Sequence, residues 1–370
     1  RCLPALVPRR TVRSILLSPG PVSLSQTVRK AAVSTDLCHQ EPEYFELQDR
    51  VRDGLLDVYD CDGDRWSAVL LSGSGLAALE AMLASLLPHD TRLLVIENGF
   101  HAERISRIAG VYKIEHSAVR HEWTESIDFQ RLEQALDDAS YTHVAAVHHE
   151  TTTGRLNDVF RLSELCEQRG LQLMLDTVSS FGAESIPFRS PALAACAGTA
   201  EKCLHGIPGL SFVLARSEML ELGAEPPRTL YLDLSHWLVS QDLHSTPLTP
   251  SVNAVLALSA ALKEFSAQGG WQARHARYAH LAGRVERALA SLGVERVLKP
   301  DESSCALHAY RIPEEMSFDQ IHDRLKHWGF VIYGGQEELA SDMFRISTMG
   351  DITDYDMERL LAALQSVFSG

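Results

Sequence analysis

A doubly wound α/β domain with a largely parallel sheet, followed by a smaller α+β domain, is the fold that this sequence predicts. Three observations carry the expectation. Short apolar runs alternate with helical stretches along most of the chain. A long helical stretch at 248–270 closes on Gly-Gly, and the pattern changes character after it. One apolar run, LQLMLD at 171–176, stops on a carboxylate. In sheets of this kind the ligand lies outside the carboxyl ends of the strands, where Asp176 falls.

The elements come in order. RLLVIE (92–97), HVAAVHH (143–149), LQLMLD (171–176) and LSFVLA (210–215) are continuous apolar runs, as strands covered on both faces require. LAALEAMLASLL (76–87) and FRLSELCEQRG (160–170) carry helical spacing, the second ending on a glycine stop. ALHAYRIP, FDQIHDRLKHWGFVIYGG and MFRISTMGD make the α+β appendage. These readings divide the chain into a large domain at 1–255, its first 25 residues expected at the mouth of the ligand site, and a small domain at 256–370.

Composition narrows the function classes. The 34 basic and 49 acidic residues give a net charge of −15, which argues against a nucleic-acid or anionic-membrane surface. No apolar run approaches the roughly 20 residues of a membrane-spanning helix. The start, RCLPALVPRR, lacks an initiator Met and has too short an apolar segment for a signal peptide. A processed or truncated end, or a join to an upstream domain, is expected there. Seven dispersed cysteines (2, 38, 61, 166, 196, 203 and 305) lack CxxC spacing. They suit reduced thiols in a cytoplasmic protein, and neither a disulfide framework nor a zinc site.

Two segments bear on chemistry. LLSGSGLAALEAML (70–83) sets Ser-Gly-Ser-Gly between a strand and a strong helix, where backbone N–H groups and the helix dipole suit one phosphate. The commoner meaning of such a turn is only a turn, and it lacks the patterns of a nucleotide loop. AGTAEKCLHGIPGLSFVLA (197–215) holds Lys202, one of six lysines against 28 arginines, in a small-residue segment before a buried strand. A loop lysine is ordinarily solvated; here the setting also suits an amine that forms a Schiff base in a confined pocket. Asp176 either caps the segment after its strand or meets a buried cation. A strand-end Asp, a phosphate-sized cradle and a sequestered Lys are together what pyridoxal phosphate requires. Other polar residues are weaker: His39 divides evenly between pocket and surface, His148 and His149 suit core or cofactor-adjacent packing, and Cys203 and Cys305 are structural.

The blocks LLSPGPVSLSQTVRKA, SGSGLAALEA, HHETTTGRLNDV, LDTVSSFGAE, EKCLHGIPGLSFVLAR, LTPSVNAVLAL, GFVIYGG and FRISTMGD cover nearly the whole chain. Through them the sequence resembles class V aminotransferases of pyridoxal-phosphate fold type I, and most closely the 2-aminoethylphosphonate:pyruvate aminotransferases. The resemblance implies a homodimer with shared active sites and a ping-pong transfer from a small amino donor to pyruvate or a similar keto acid. It implies Lys202 as the Schiff-base lysine and proton carrier, and Asp176 as the partner of the pyridinium nitrogen. Thr151 would bond the ring hydroxyl. Ser74, Gly75 and Leu76 would hold the phosphate, completed by Thr249 of the partner subunit. His101 would stack on the ring, with Phe100 as the fallback. Arg345 would clamp the substrate anion, beside Pro19 and Gly20 at the mouth.

Three positions depart from the family pattern. Leu76 replaces a common Thr, Glu201 precedes the lysine where Asn or Gln is usual, and Thr246 stands where glyoxylate enzymes offer a Tyr. Two other functions stay open at this point: a serine- or alanine:glyoxylate aminotransferase, and a non-catalytic pyridoxal-phosphate-binding protein of the same fold.

Overall fold

The computed structural model describes residues 13–221 and 226–369. The part of the expected mouth segment before Arg13 lies outside the described residues, and so does Cys2. In chain order the first half runs β1 (Ile15–Leu16), α1 (Gln26–Ala31), α2 (Pro42–Asp57), β2 (Trp66–Ser72), α3 (Gly75–Leu86), β3 (Arg92–Glu97), α4 (Phe100–Val111), β4 (Glu115–Arg120), α5 (Phe129–Asp138), β5 (His143–Val147), β6 (His149–Glu150), β7 (Arg155–Leu156), α6 (Val159–Arg169) and β8 (Gln172–Asp176). The second half runs β9 (Leu193–Thr199), β10 (Leu210–Arg216), α7 (Ser217–Glu221), α8 (Leu234–Asp242), α9 (Val252–Ala267), α10 (Gly270–Ser291), β11 (Leu307–Arg311), α11 (Phe318–His327), β12 (Phe330–Val331), β13 (Tyr333–Gly334), β14 (Met343–Ser347) and α12 (Asp354–Phe368).

The large sheet has the order β2-β10-β9-β8-β5-β3-β4. Its strands are apolar along their length because both faces are covered. Leu173 and Leu175 of β8 join one buried cluster with α2 and α9, while Met174 joins the other with α3 and α4. Six of the seven strands point the same way, and β10 is reversed, antiparallel to both β2 and β9. The reason lies in the connection. Residues 200–209 bring the chain from β9 straight back into β10 without a crossover helix, and a short return gives antiparallel pairing. Lys202 rides on that return.

Local signals explain most of the boundaries. Asp158 caps α6 through the N–H of Arg161, and Gly170 ends it in the left-handed region at φ 66°. The expected strand 143–149 stops at Val147. His149 and Glu150 instead pair with Leu156 and Arg155 in a small hairpin, turned at Gly154 with φ +86°. Strand β9, LAACAGT, is unmarked in the sequence because small residues carry little strand preference. Edge strand β4 is unmarked because its residues are exposed or half-buried except Val119.

The C-terminal part builds a sheet β11-β14-β13, covered by α10, α11 and α12. Strand β1, from the other end of the chain, pairs in parallel with β12, and Ile15 and Leu17 pack in the same cluster as Phe330 and Phe344. Helix α9 runs unbroken through residue 255 and packs in the large sheet's cluster, which Trp271 still joins, whereas Leu281, Val285 and Leu289 of α10 pack in the small sheet's cluster. Buried Glu184 ties the two parts together. It accepts from Ser304 Oγ at 2.8 Å and the Cys305 N–H at 2.7 Å, and pairs with His275 on α10 at 3.2 Å. No helix among the described residues is long and apolar enough to cross a membrane.

Burial also sets a pH dependence. His143, His148 and His308 are each pushed down to about 4 by loss of water. The unfolded chain takes up these protons near pH 6.5, the folded chain only near 4, so their contribution to stability is lost as pH falls through that window. Each costs up to about 2 kcal/mol at pH 5. The raised carboxyls of Glu150 and Asp176 act in the opposite sense. We expect the urea midpoint to drop between about pH 7 and pH 5, and His148→Asn to flatten the drop; parallel profiles for variant and parent would remove that imidazole as a cause.

Candidate active site

The carboxyl ends of β5 and β8, the start of α3 and α4, and the β9–β10 return enclose a cavity of about 290 Å³. Ser74, Gly75, Leu76, His101, His149, Asp176 and Lys202 line it, and Gly20 and Pro21 close its mouth. Larger hollows of about 660 Å³ beside Trp123 and about 440 Å³ beside Trp271 meet neither Lys202 nor Asp176.

At one end, Ser74 is the N-cap of α3, yet its hydroxyl makes no capping bond; the Ala77 N–H bonds the Ser74 carbonyl at 2.8 Å, and the N–H groups of Gly75 and Leu76 are left unspent beside the cavity. A Cβ at Gly75 would lie 2.8 Å from the Val178 side chain, so only glycine lets helix and wall close up here. At the mouth, the Lys202 amine donates to the Pro19 carbonyl. Gly20 has φ +131°, and a Cβ there would lie 2.7 Å from Lys202 Cδ. The structure thus brings Pro19 and Gly20 directly against the lysine.

Electrostatics follow from dryness. Burial pulls the Lys202 amine below its ordinary value, opposed by the Glu201 and Asp176 carboxylates. Burial lifts Asp176, opposed by the Val178 N–H that its Oδ1 accepts at 3.0 Å and by His101 and Lys202. His101 is pushed down to about 4 by burial, with Asp176 pulling the other way, and is neutral at pH 7. The Glu201 carboxylate accepts from the Thr199 hydroxyl beside the lysine. The thiol of Cys203, buried next to Lys202, is pushed up to about 12 and bonds the Ser179 carbonyl, as suits an inert side chain.

Glu150 organises the wall behind His101. Its Oε2 accepts the first N–H groups of α4, from His101 at 2.9 Å and Ala102 at 3.3 Å. Its Oε1 accepts the N–H and hydroxyl of Thr152 at 3.0 and 2.7 Å. His101 Nε2 meets Thr151 Oγ1 at 3.1 Å. Phe100 packs edge-on against Trp123 and lines the neighbouring hollow, so His101 is the ring that faces the Lys–Asp cavity. Arg345 is 4% exposed, with its neighbours Phe344 and Ile346 turned into the small core. Its Nε donates to the Gly334 carbonyl at 2.8 Å and its Nη1 to the Thr151 carbonyl at 2.9 Å. Its Nη2 makes no hydrogen bond among the described residues. A surface ion pair is therefore not its setting.

Thr249 and Thr246 lie on a loop outside the cavity wall, Thr249 exposed, and half-buried His39 is outside it too. Sequence reasoning assigned no role to Glu150, Val178, Ser179 or Arg104, and left His149 as packing. The one signal present was position: all but Arg104 directly follow a strand end, where ligands bind.

The cavity thus offers an amine, a carboxylate, a neutral imidazole nitrogen and an unspent helix N-terminus. That donor set fits a compact group with an aldehyde, a basic ring nitrogen and a phosphate, and pyridoxal phosphate has all three. The comparisons agree. Residues 63–325 match the family described as aminotransferase class-V. A 2-aminoethylphosphonate–pyruvate transaminase of Phocaeicola vulgatus is 32% identical, covering 95% of this chain and 98% of that protein. One of Lysinibacillus sphaericus is 33% identical over 95% of this chain and 96% of its own. The crystal structure of an alanine–glyoxylate aminotransferase from Nostoc superposes with TM-score 0.89 at 25% identity, covering 98% of this chain and 97% of that one. The chain belongs to the class V aminotransferases, enzymes of fold type I that use pyridoxal phosphate to pass an amino group from an amino donor to a keto acid.

Proposed function

We propose that the protein transfers the amino group of 2-aminoethylphosphonate to pyruvate, in two half-reactions that share the Lys202 cavity. The observation that carries this choice of substrate is the pair of relatives of that name, matched over 95% of the chain. When bound, the cofactor supplies a ring that accepts the electrons released as the donor carbon loses its proton. Lys202 Nζ would hold the cofactor's aldehyde and, once the donor's own amine has displaced it, would be free as an amine to carry the proton that the donor carbon loses. Its lowered affinity for protons, caused by burial, suits a base. Asp176 keeps the ring nitrogen protonated. Ser74, Gly75 and Leu76 hold the phosphate at the start of α3, His101 covers the ring, and Thr151 bonds the ring hydroxyl's oxygen. Arg345 presents its free Nη2 edge to the substrate's anionic group, and Pro19 and Gly20 confine the lysine.

The working unit is a homodimer. Leu230, Tyr231, Val239, Leu243 and Leu248 are apolar side chains left exposed on the segment that carries Thr249. That segment is anchored beside the phosphate end, since Tyr231 donates to the Ser72 carbonyl at 2.8 Å and the Ser251 N–H to Ser72 Oγ at 2.8 Å. A second copy covering this face brings its own Thr249 to the cradle. Six free cysteines among the described residues support a reducing, cytoplasmic setting.

Purified enzyme given 2-aminoethylphosphonate and pyruvate should release alanine; turnover only with serine or alanine and glyoxylate would replace the substrate assignment. Lys202→Ala should lower turnover by about 10³-fold or more while the melting temperature holds. Asp176→Asn should cost about 100-fold in kcat, because a neutral amide no longer favours a protonated ring nitrogen. If the Asn variant turns over like the parent, Asp176 is only a cap. Arg345→Lys should raise KM for donor and keto acid together, by about ten- to a hundredfold. Unchanged KM for both would leave the anion clamp elsewhere.

A further inference from the structure

Among the described residues of the cavity wall, His149 carries an imidazole whose bonding is incomplete. It is 2% exposed, and its Nδ1 lies 2.9 Å from the Ser179 carbonyl. A carbonyl only accepts, so Nδ1 carries the proton and Nε2 presents a lone pair. Burial holds the ring neutral, outweighing Ser179 and Glu184, which favour the charged form. Nε2 is completely buried and has no partner among the described residues. A buried acceptor left empty costs about 1–3 kcal/mol, so something in the cavity should fill it.

The inventory of donors is short. Pyridoxal phosphate offers two: its protonated ring nitrogen and its ring hydroxyl. The first belongs with the Asp176 carboxylate. Thr151, the other neighbour on this stretch, is an alcohol that already shares a bond with His101 Nε2. Once it accepts from that imidazole, its own proton is free to go to the ring oxygen, whose proton still needs an acceptor. We propose that His149 is a cofactor-binding residue whose Nε2 accepts the hydrogen bond of the ring hydroxyl. The chain His101–Thr151–hydroxyl–His149 then has one donor and one acceptor at every link. An acceptor-only neighbour keeps the hydroxyl protonated, so His149 also weights the cofactor's absorbance toward the form with a neutral hydroxyl.

This inference rests on the cofactor site proposed above, and the experiment separates the two. Apoenzyme of the parent, His149→Phe and His149→Gln would be titrated with pyridoxal phosphate and with 3-deoxypyridoxal phosphate, following quenching of protein fluorescence. His149→Phe should bind pyridoxal phosphate about tenfold more weakly, the worth of one hydrogen bond of about 1.4 kcal/mol. It should also shift absorbance toward the ionised hydroxyl. His149→Gln, which returns an acceptor near the Nε2 position, should recover much of both. With the deoxy analogue, parent and Phe variant should bind alike. A tenfold loss that persists with the analogue would overturn the hydroxyl as partner, and equal affinities and spectra for pyridoxal phosphate would overturn the role of His149. Melting temperatures of the three apoenzymes show whether a loss is one of fold. A parent that binds neither compound would instead sink the cofactor site itself.

Discussion

The Glu150 carboxylate is the constraint on which the site depends. A charge buried this deeply is tolerated only when its lone pairs are filled, and here four donors from two segments fill them. Two of those donors are N–H groups in the first turn of α4, from His101 and Ala102, so the acid also meets the positive end of that helix. Its grip fixes where His101 leaves the helix. A Cβ at Gly99 would collide with the same carboxylate, which explains a glycine at an extended position any residue can adopt. The peptide that carries Glu150 continues into Thr151, whose hydroxyl meets His101 and whose carbonyl receives Arg345 from the small sheet. One buried acid thereby sets the imidazole, the alcohol and, at one remove, the guanidinium.

The lysine is placed by a different device. After Leu193, strand β9 is built of Ala, Cys, Gly and Thr, all with small side chains. The Phe212 ring of β10 sits where a Cβ on Gly198 would be. Because β10 returns without a helix, Lys202 stands on a tight connection packed from both sides. Asp176 sits on β8, the next strand over, at its very end. Sheet order alone therefore puts the two charged groups at one edge of the same cavity, and burial then makes each of them depend on the other's charge.

Much of this was legible in the sequence, for physical reasons that can be named. Apolar runs such as RLLVIE report a strand covered on both faces, and the limits of β3 match that run. Asp176 and Lys202 were legible because each contradicts its surroundings, an acid after an apolar run and a lysine among small residues. What stayed hidden was relational. That β10 opposes its neighbours depends on what lies between the strands and not on the strand itself. That His149 faces inward follows from the chain leaving the sheet at Val147, a turn that an unbroken run of apolar and aromatic residues does not announce. Glu150 looks like any acid before a threonine run until α4 is set against it.

The pairing of β1 with β12 has a further consequence, for the order in which the molecule is completed. Ile15 lies far ahead of its partner Phe330 in the chain. Strand β1 therefore has no partner until synthesis has passed Val331. The Pro19 carbonyl that meets the lysine hangs directly from that strand. The large sheet can form as its strands emerge, since its pairs lie between 66 and 216. The mouth of the cavity closes only when the C-terminal sheet has folded and drawn the beginning of the chain back across it. Until that point Lys202 lacks the Pro19 carbonyl that its amine meets in the folded protein.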